Sequence, residues 1–137
     1  MLEVWIDGAC EPINPGGIAS YGLVVKKETS YLYKESKIEG SGKDYSNNVS
    51  EYCALLAFIN WYSKNIKDNE IATIYSDSQL VVNQMSGRWK IKEGLYKPFA
   101  VIAKTEINKK GYRFMFKWIP REKNTEADKL SKEAIIK

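Results

Sequence analysis

Histidine is absent from this 137-residue chain. Without it, Ser-His-Asp and Cys-His nucleophilic catalysis are excluded. Cysteine is scarce. Cys10 and Cys53 are the two present, and they form no CxxC pair. With no histidine beside them they supply no zinc cluster, and free thiols in a reducing cytosol are expected. Long apolar runs are also missing: a stretch such as Ile18–Val25 is too short and too polar to span a bilayer. Met1-Leu2-Glu3-Val4 lacks the basic segment and apolar run that open a secretory signal. The expectation is a cytoplasmic protein with no membrane attachment. Any catalysis has to run on carboxylates, lysines, tyrosines or metal ions.

Hydrophobic residues make up 44% and charged residues 28%, which suits a core and a soluble surface in one domain spanning 1–137. The net charge of +4 is compatible with a polyanionic partner and does not by itself identify one.

Alternation of apolar and polar residues predicts strands over Leu2–Ala9, Ile18–Lys27 and Thr29 to about Glu39, joined by Gly- and Pro-rich turns. Ser46-Asn47-Asn48 and Ser50 offer helix caps. After them, Tyr52, Leu55, Leu56, Ile59 and Tyr62 recur at helical spacing to about Asn65. Ile71–Ser76 reads as a short buried strand. Asp77 or Ser78 caps a helix ending near Gly87, and Pro98 opens another. Tyr112–Ile119 reads as the fifth strand, Pro120–Lys123 as a loop, and Asn124 or Thr125 as the start of a last helix to Ile136. The order βββαβααβα implies an α/β fold with a mixed sheet and helices on its faces.

Four acids stand out by position: Asp7 near the end of the first strand, Glu51 in the first turn of the long helix, Asp77 directly after the fourth strand, and Asp128 early in the last helix. Sites in such sheets gather at the carboxyl ends of strands. If the first and fourth strands are parallel neighbours, Asp7 and Asp77 come together, and helix N-termini deliver Glu51 and Asp128 to the same edge. Like charges at that range need a shared cation. An oxygen-only set suits Mg²⁺ or Mn²⁺, two of which can activate a water at a phosphodiester. Taken singly, Asp7 before Gly8 also fits a turn, Glu51 a helix-dipole partner, Asp77 an N-cap, and Asp128 a solvated helix residue. The joint arrangement favours a site.

At these residues the sequence resembles type 1 ribonuclease H over nearly its whole length. Asp7-Gly8-Ala9 with Asn14-Pro15-Gly16-Gly17 is similar to the family's first-strand motif and Asn-Pro-Gly loop. Asn47-Asn48 with Glu51, and Ser76-Asp77-Ser78-Gln79, are similar to its next two motifs. Trp118-Ile119-Pro120-Arg121-Glu122, then Asn124 and Ala127-Asp128, resemble the last active-site segment, and Cys10-Glu11-Pro12 looks like archaeal members. The resemblance implies a ribonuclease H-like sheet in the order 3-2-1-4-5. It also implies an Asp7-Glu51-Asp77-Asp128 metal site holding two ions, and hydrolysis of the RNA strand of RNA–DNA hybrids that leaves 5′-phosphate and 3′-hydroxyl ends. By the same resemblance Cys10, Asn14, Asn47, Asn48 and Gln79 meet the hybrid at 2′-hydroxyls, backbone or minor groove. Trp89, set among Arg88, Lys90 and Lys92, is a candidate contact to the DNA strand or a partly buried packing residue.

Two departures matter. The family's mobile histidine has no counterpart, and the loop offers Arg121, an electrostatic candidate that cannot act as a base. Gly87–Pro98 is too short for the basic extra helix of some bacterial members, which leaves grip to Lys90, Lys92 and Lys97. A monomeric hybrid-cutting nuclease is the main expectation. A catalytically silent hybrid- or RNA-binding module, and a related nuclease that also cuts double-stranded RNA, are the rivals.

Overall fold

The structure is a computed structural model and describes residues 1–136. Its elements are β1 (Leu2–Glu11), β2 (Gly16–Lys27), β3 (Ser30–Gly42), α1 (Asn47–Asn65), β4 (Ala72–Ser76), α2 (Gln79–Met85), α3 (Lys97–Lys110), β5 (Phe114–Trp118) and α4 (Thr125–Ile136). The five strands form one sheet in the order β3-β2-β1-β4-β5. β1 runs antiparallel to β2 and parallel to β4, and β4 runs parallel to β5. This is the mixed sheet that hairpins followed by helical crossovers predict.

Alternation decides which face each strand buries. Leu2, Val4 and Ile6 of β1, Leu23 and Val25 of β2, and Ala72 and Ile74 of β4 are fully buried. They meet Val49, Tyr52, Leu55, Phe58 and Tyr62 of α1, which recur on one helical face and are fully buried too. α3 packs beside α1 through Ala100 and Ala103.

α4 lies against the β2 end of the sheet, and polar groups fix it there. The Ser20 hydroxyl donates to the Ser131 carbonyl, and the Ser36 hydroxyl to that of Leu130. The Asn124 amide donates to the Ile6 carbonyl at 2.9 Å. Close approach requires Gly22, since a Cβ there would sit 2.2 Å from the Ala127 carbonyl oxygen. Gly8 plays the same part under α1, where a Cβ would sit 2.4 Å from the Glu51 nitrogen.

Some boundaries differ from the expected ones. β3 continues through Gly40 to Gly42 because β2 supplies pairing as far as Gly16↔Gly42. β5 is confined to Phe114–Trp118 because β4, its one ladder partner, has five residues. The 120–123 loop contains a 3₁₀ turn, Arg121–Lys123. Among the described residues no helix is long and apolar enough to cross a membrane.

Candidate active site

Register brings two of the acids together. β1 and β4 pair in parallel from Leu2↔Ala72 to Trp5↔Tyr75. Two residues further on, Asp7 and Asp77 leave neighbouring strand ends. Glu51 enters from the start of the second turn of α1, not the first as expected, because the helix already begins at Asn47 behind the Ser46 cap. The hydroxyl of Ser50 fastens the helix there by donating to the Ala9 carbonyl at 2.8 Å. Capping is handled elsewhere: Ser46 accepts from the Val49 nitrogen and Ser78 from the Val81 nitrogen. Asp77, Asn47 and Asn48 are therefore released from the capping role the sequence allowed them.

Carboxylate oxygens of Asp7, Glu51 and Asp77 lie within 4.8 Å of one another. Asp7 and Glu51 are buried, at 4% and 6% exposure, and Glu51 Oε2 has no hydrogen-bond partner. Burial foremost, then the Asp77 charge and a hydrogen bond with Asp128, pushes Asp7 up to about 8. Burial, then Asp7 and Asp77, holds Glu51 well above the usual carboxylate range. Asp77 is also raised, chiefly by burial, with the Arg121 charge opposing. Two buried acids and a half-buried third crowded this closely, one with an orphaned oxygen, are mutually destabilising when ionised. A hard divalent cation relieves the repulsion and takes the unused lone pairs, so an oxygen-only set of this kind fits Mg²⁺ or Mn²⁺.

Asp128 is outside that 4.8 Å group, but its side chain reaches Asp7. Its carboxylate also faces cations: Lys132 Nζ at 3.4 Å, one turn along α4, and an Arg121 guanidinium nitrogen at 3.8 Å. Ser131 bridges the two halves of the site, donating toward Asp7 Oδ2 at 3.3 Å and to the Asp128 carbonyl at 2.6 Å.

All four acids line one open cavity of about 560 Å³, with Asn47, Asn48, Cys10, Trp118, Arg121 and Lys132. The Cys10 thiol donates to the Ile13 carbonyl at 3.2 Å. Asn14 stays outside, and its Oδ1 accepts from the Asn47 nitrogen at 2.9 Å, tying the first loop to α1. Gln79 lines an adjoining groove. Trp89, 46% exposed, lies in a separate hollow with Leu80, Gln84, Lys90, Lys92 and Tyr96. Sequence reasoning missed Lys132, Ser131 and the site role of Trp118. The i+4 spacing of Lys132 from Asp128 was the available signal for the first.

A family model described as reverse transcriptase-like matches residues 6–134. The chain belongs to the reverse transcriptase-like family. Its fold within that family is the one seen in type 1 ribonucleases H. It is similar to an RNase H1 termed LC11 solved in complex with RNA/DNA hybrid: TM-score 0.87, 31% identity, 99% of this chain and 97% of that one. RNase H1 of the halophilic archaeon Halobacterium salinarum superposes at TM-score 0.83 with 26% identity, covering 98% and 97%. A bifunctional protein of Mycobacterium tuberculosis, Rv2228c, is 39% identical over 123 residues, which are 89% of this chain and 32% of that protein. The solved N-terminal RNase H domain of rv2228c superposes at TM-score 0.79 with 32% identity, covering 96% and 98%. This reverse transcriptase-like chain thus spans about a third of the length of the curated relatives it matches.

Proposed function

We propose that this chain is a divalent-metal-dependent endoribonuclease that cuts the RNA strand of RNA–DNA hybrids. One observation carries the proposal. Asp7, Glu51 and Asp77 converge with an orphaned Glu51 oxygen in the wall of an open groove, on a fold shared with an RNase H1 solved on such a hybrid.

Asp7, Glu51, Asp77 and Asp128 hold Mg²⁺ or Mn²⁺, two ions per site. Bound there, the ions supply an activated water and neutralise charge on the phosphodiester. Hydrolysis leaves a 5′-phosphate and a 3′-hydroxyl. The chain's own groups bind and orient. Asn47 and Asn48, with amides that both donate and accept, suit 2′-hydroxyls and minor-groove edges. Gln79 and the Asn14-tethered loop extend that contact, and the backbone at Cys10 lines the same wall. Trp89 packs against the other strand from its own hollow. Arg121, beside Asp77 and Asp128, holds the scissile phosphate or the leaving oxygen.

The test is cleavage of end-labelled RNA–DNA, RNA–RNA and DNA–DNA duplexes in Mg²⁺, Mn²⁺ or EDTA. The RNA strand of the hybrid should be cut only with metal, and Asp77→Asn should slow it by at least about 100-fold. Equal cutting by that variant would sink the mechanism. Hybrid binding without cutting would mark a silent module instead, and comparable cutting of RNA–RNA would widen the substrate class.

A further inference from the structure

Beyond the acid cavity, across the ring of Trp118, lies a second groove of about 450 Å³. Trp118 lines both spaces. The second has the opposite character. Buried Phe116 contributes to its lining, its polar side chains are Gln79, Asn83, Arg88 and Lys117, and no carboxylate is among its lining residues.

The groove is held in shape. The Trp118 indole nitrogen donates to the Asp77 carbonyl at 3.1 Å, which pins the half-exposed ring between the two spaces. Asn83 Oδ1 accepts from the Arg88 guanidinium at 3.2 Å. The Asn83 carbonyl accepts from the Arg88 and Trp89 nitrogens, so the cation is fixed to the end of α2. Asn83 Nδ2 in turn donates to the Gln79 carbonyl at 2.7 Å.

A fixed aromatic face next to an anchored guanidinium and a lysine is the chemistry that takes an unpaired nucleotide, with the base against the ring and the phosphates against the cations. Bases inside a duplex are already stacked and do not offer that face. We propose that this groove binds the single-stranded continuation of the nucleic-acid strand whose phosphate reaches the acid cavity. The inference rests on the hybrid-cutting function above and names where an RNA overhang beside the hybrid goes. Such an overhang places the substrate's end relative to the acids, and so selects which bonds are cut first.

The experiment is fluorescence anisotropy in EDTA, where no cleavage is needed. It uses a labelled 12-base-pair RNA–DNA hybrid, blunt or carrying a six-nucleotide 5′ or 3′ RNA overhang. One overhang should tighten binding roughly tenfold over the blunt hybrid. Arg88→Gln with Lys117→Gln, both at exposed positions, should erase that gain while leaving blunt-hybrid affinity within about twofold. The salt dependence of the overhung substrate should weaken by about one unit per cation removed. If neither overhang tightens binding, the proposal is overturned. Equal weakening of blunt and overhung hybrids overturns it as well, since the cations then serve the duplex. Because the readout is binding, a protein that fails to cut can still show the groove, and one that cuts can still lack it.

Discussion

Asp7 sits where three influences converge: burial, the charge of Asp77, and a hydrogen bond with Asp128. The first two dominate and move its titration up to about 8. An unfolded aspartate titrates near 4. Between those values the folded chain holds a proton that the unfolded chain has released. The protonated carboxyl's contribution is complete below about pH 4, falls as pH rises, and is gone above about 8. Glu51 and Asp77 shift in the same direction. In EDTA the Tm should therefore be lower at pH 8 than at pH 5, and Mg²⁺ or Mn²⁺ should raise it more at pH 8. Differential scanning calorimetry checks both, and Asp7→Asn should flatten the slope. A slope unchanged by that variant would show that other groups set it. Glu70 does not confuse the window: the N-terminal ammonium, then Lys27, holds it below its usual range, so it acts at lower pH. Arg121→Ala removes the positive charge that opposes the rise of Asp77. It should lower turnover on the hybrid in steady-state assays, and unchanged turnover would remove Arg121 from the site.

Elements meet at this site through glycines and buried hydroxyls, and both can be probed. Gly8→Ala would drive a methyl into the backbone at Ser50 and Glu51. It should cost about 1–3 kcal/mol and move Glu51, so Tm and cleavage fall together. Tyr52→Phe tests a different joint. The Tyr52 hydroxyl donates to Gln84 Oε1 at 2.5 Å, and Gln84 Nε2 reaches the Tyr96 hydroxyl at 3.0 Å and the Lys90 carbonyl at 3.1 Å. This network holds the irregular segment bearing Trp89 against α2. Losing its first donor should destabilise by about 1–3 kcal/mol in urea titrations while the acid cavity stays intact. Much of this scale was legible in the sequence. The alternation of Leu2, Val4 and Ile6 marked β1, and the spacing from Tyr52 to Tyr62 marked α1. The parallel pairing that unites Asp7 with Asp77 was a condition in the residue pattern and came only with the family resemblance. What depends on a partner was not legible. Gly40 and Gly42 resemble a strand's end, yet β2 is long enough to keep pairing. Asp128 belongs by motif with the other acids and reaches Asp7, but its ion pairs with Lys132 and Arg121 were not legible. Trp89 sits among cations as expected, in a hollow that the one-dimensional order could not separate from the cavity.

Across the whole molecule, α1, α2 and α4 pack on one five-stranded sheet, α3 packs on α1, and most of the core is shared between α1 and strands β1, β2 and β4. Cys10 and Cys53 are buried free thiols, and burial pushes Cys53 up to about 12, so oxidation is disfavoured there. Unfolding in urea followed by far-ultraviolet circular dichroism and by tryptophan fluorescence should give coincident curves, unaffected by reductant. Separated curves would show that part of the chain melts independently. The part most able to do so is α4. Its docking relies on the hydroxyls of Ser20 and Ser36 and the amide of Asn124 more than on large apolar side chains. Local opening free energies are lowest where few apolar contacts must break. If α4 lifts, Asp128, Lys132 and Ser131 leave together, and the other three acids stay with β1, β4 and α1. The protein would then retain its substrate groove while disarmed, and on warming its activity would fade over a range where the sheet still protects its amides from hydrogen exchange.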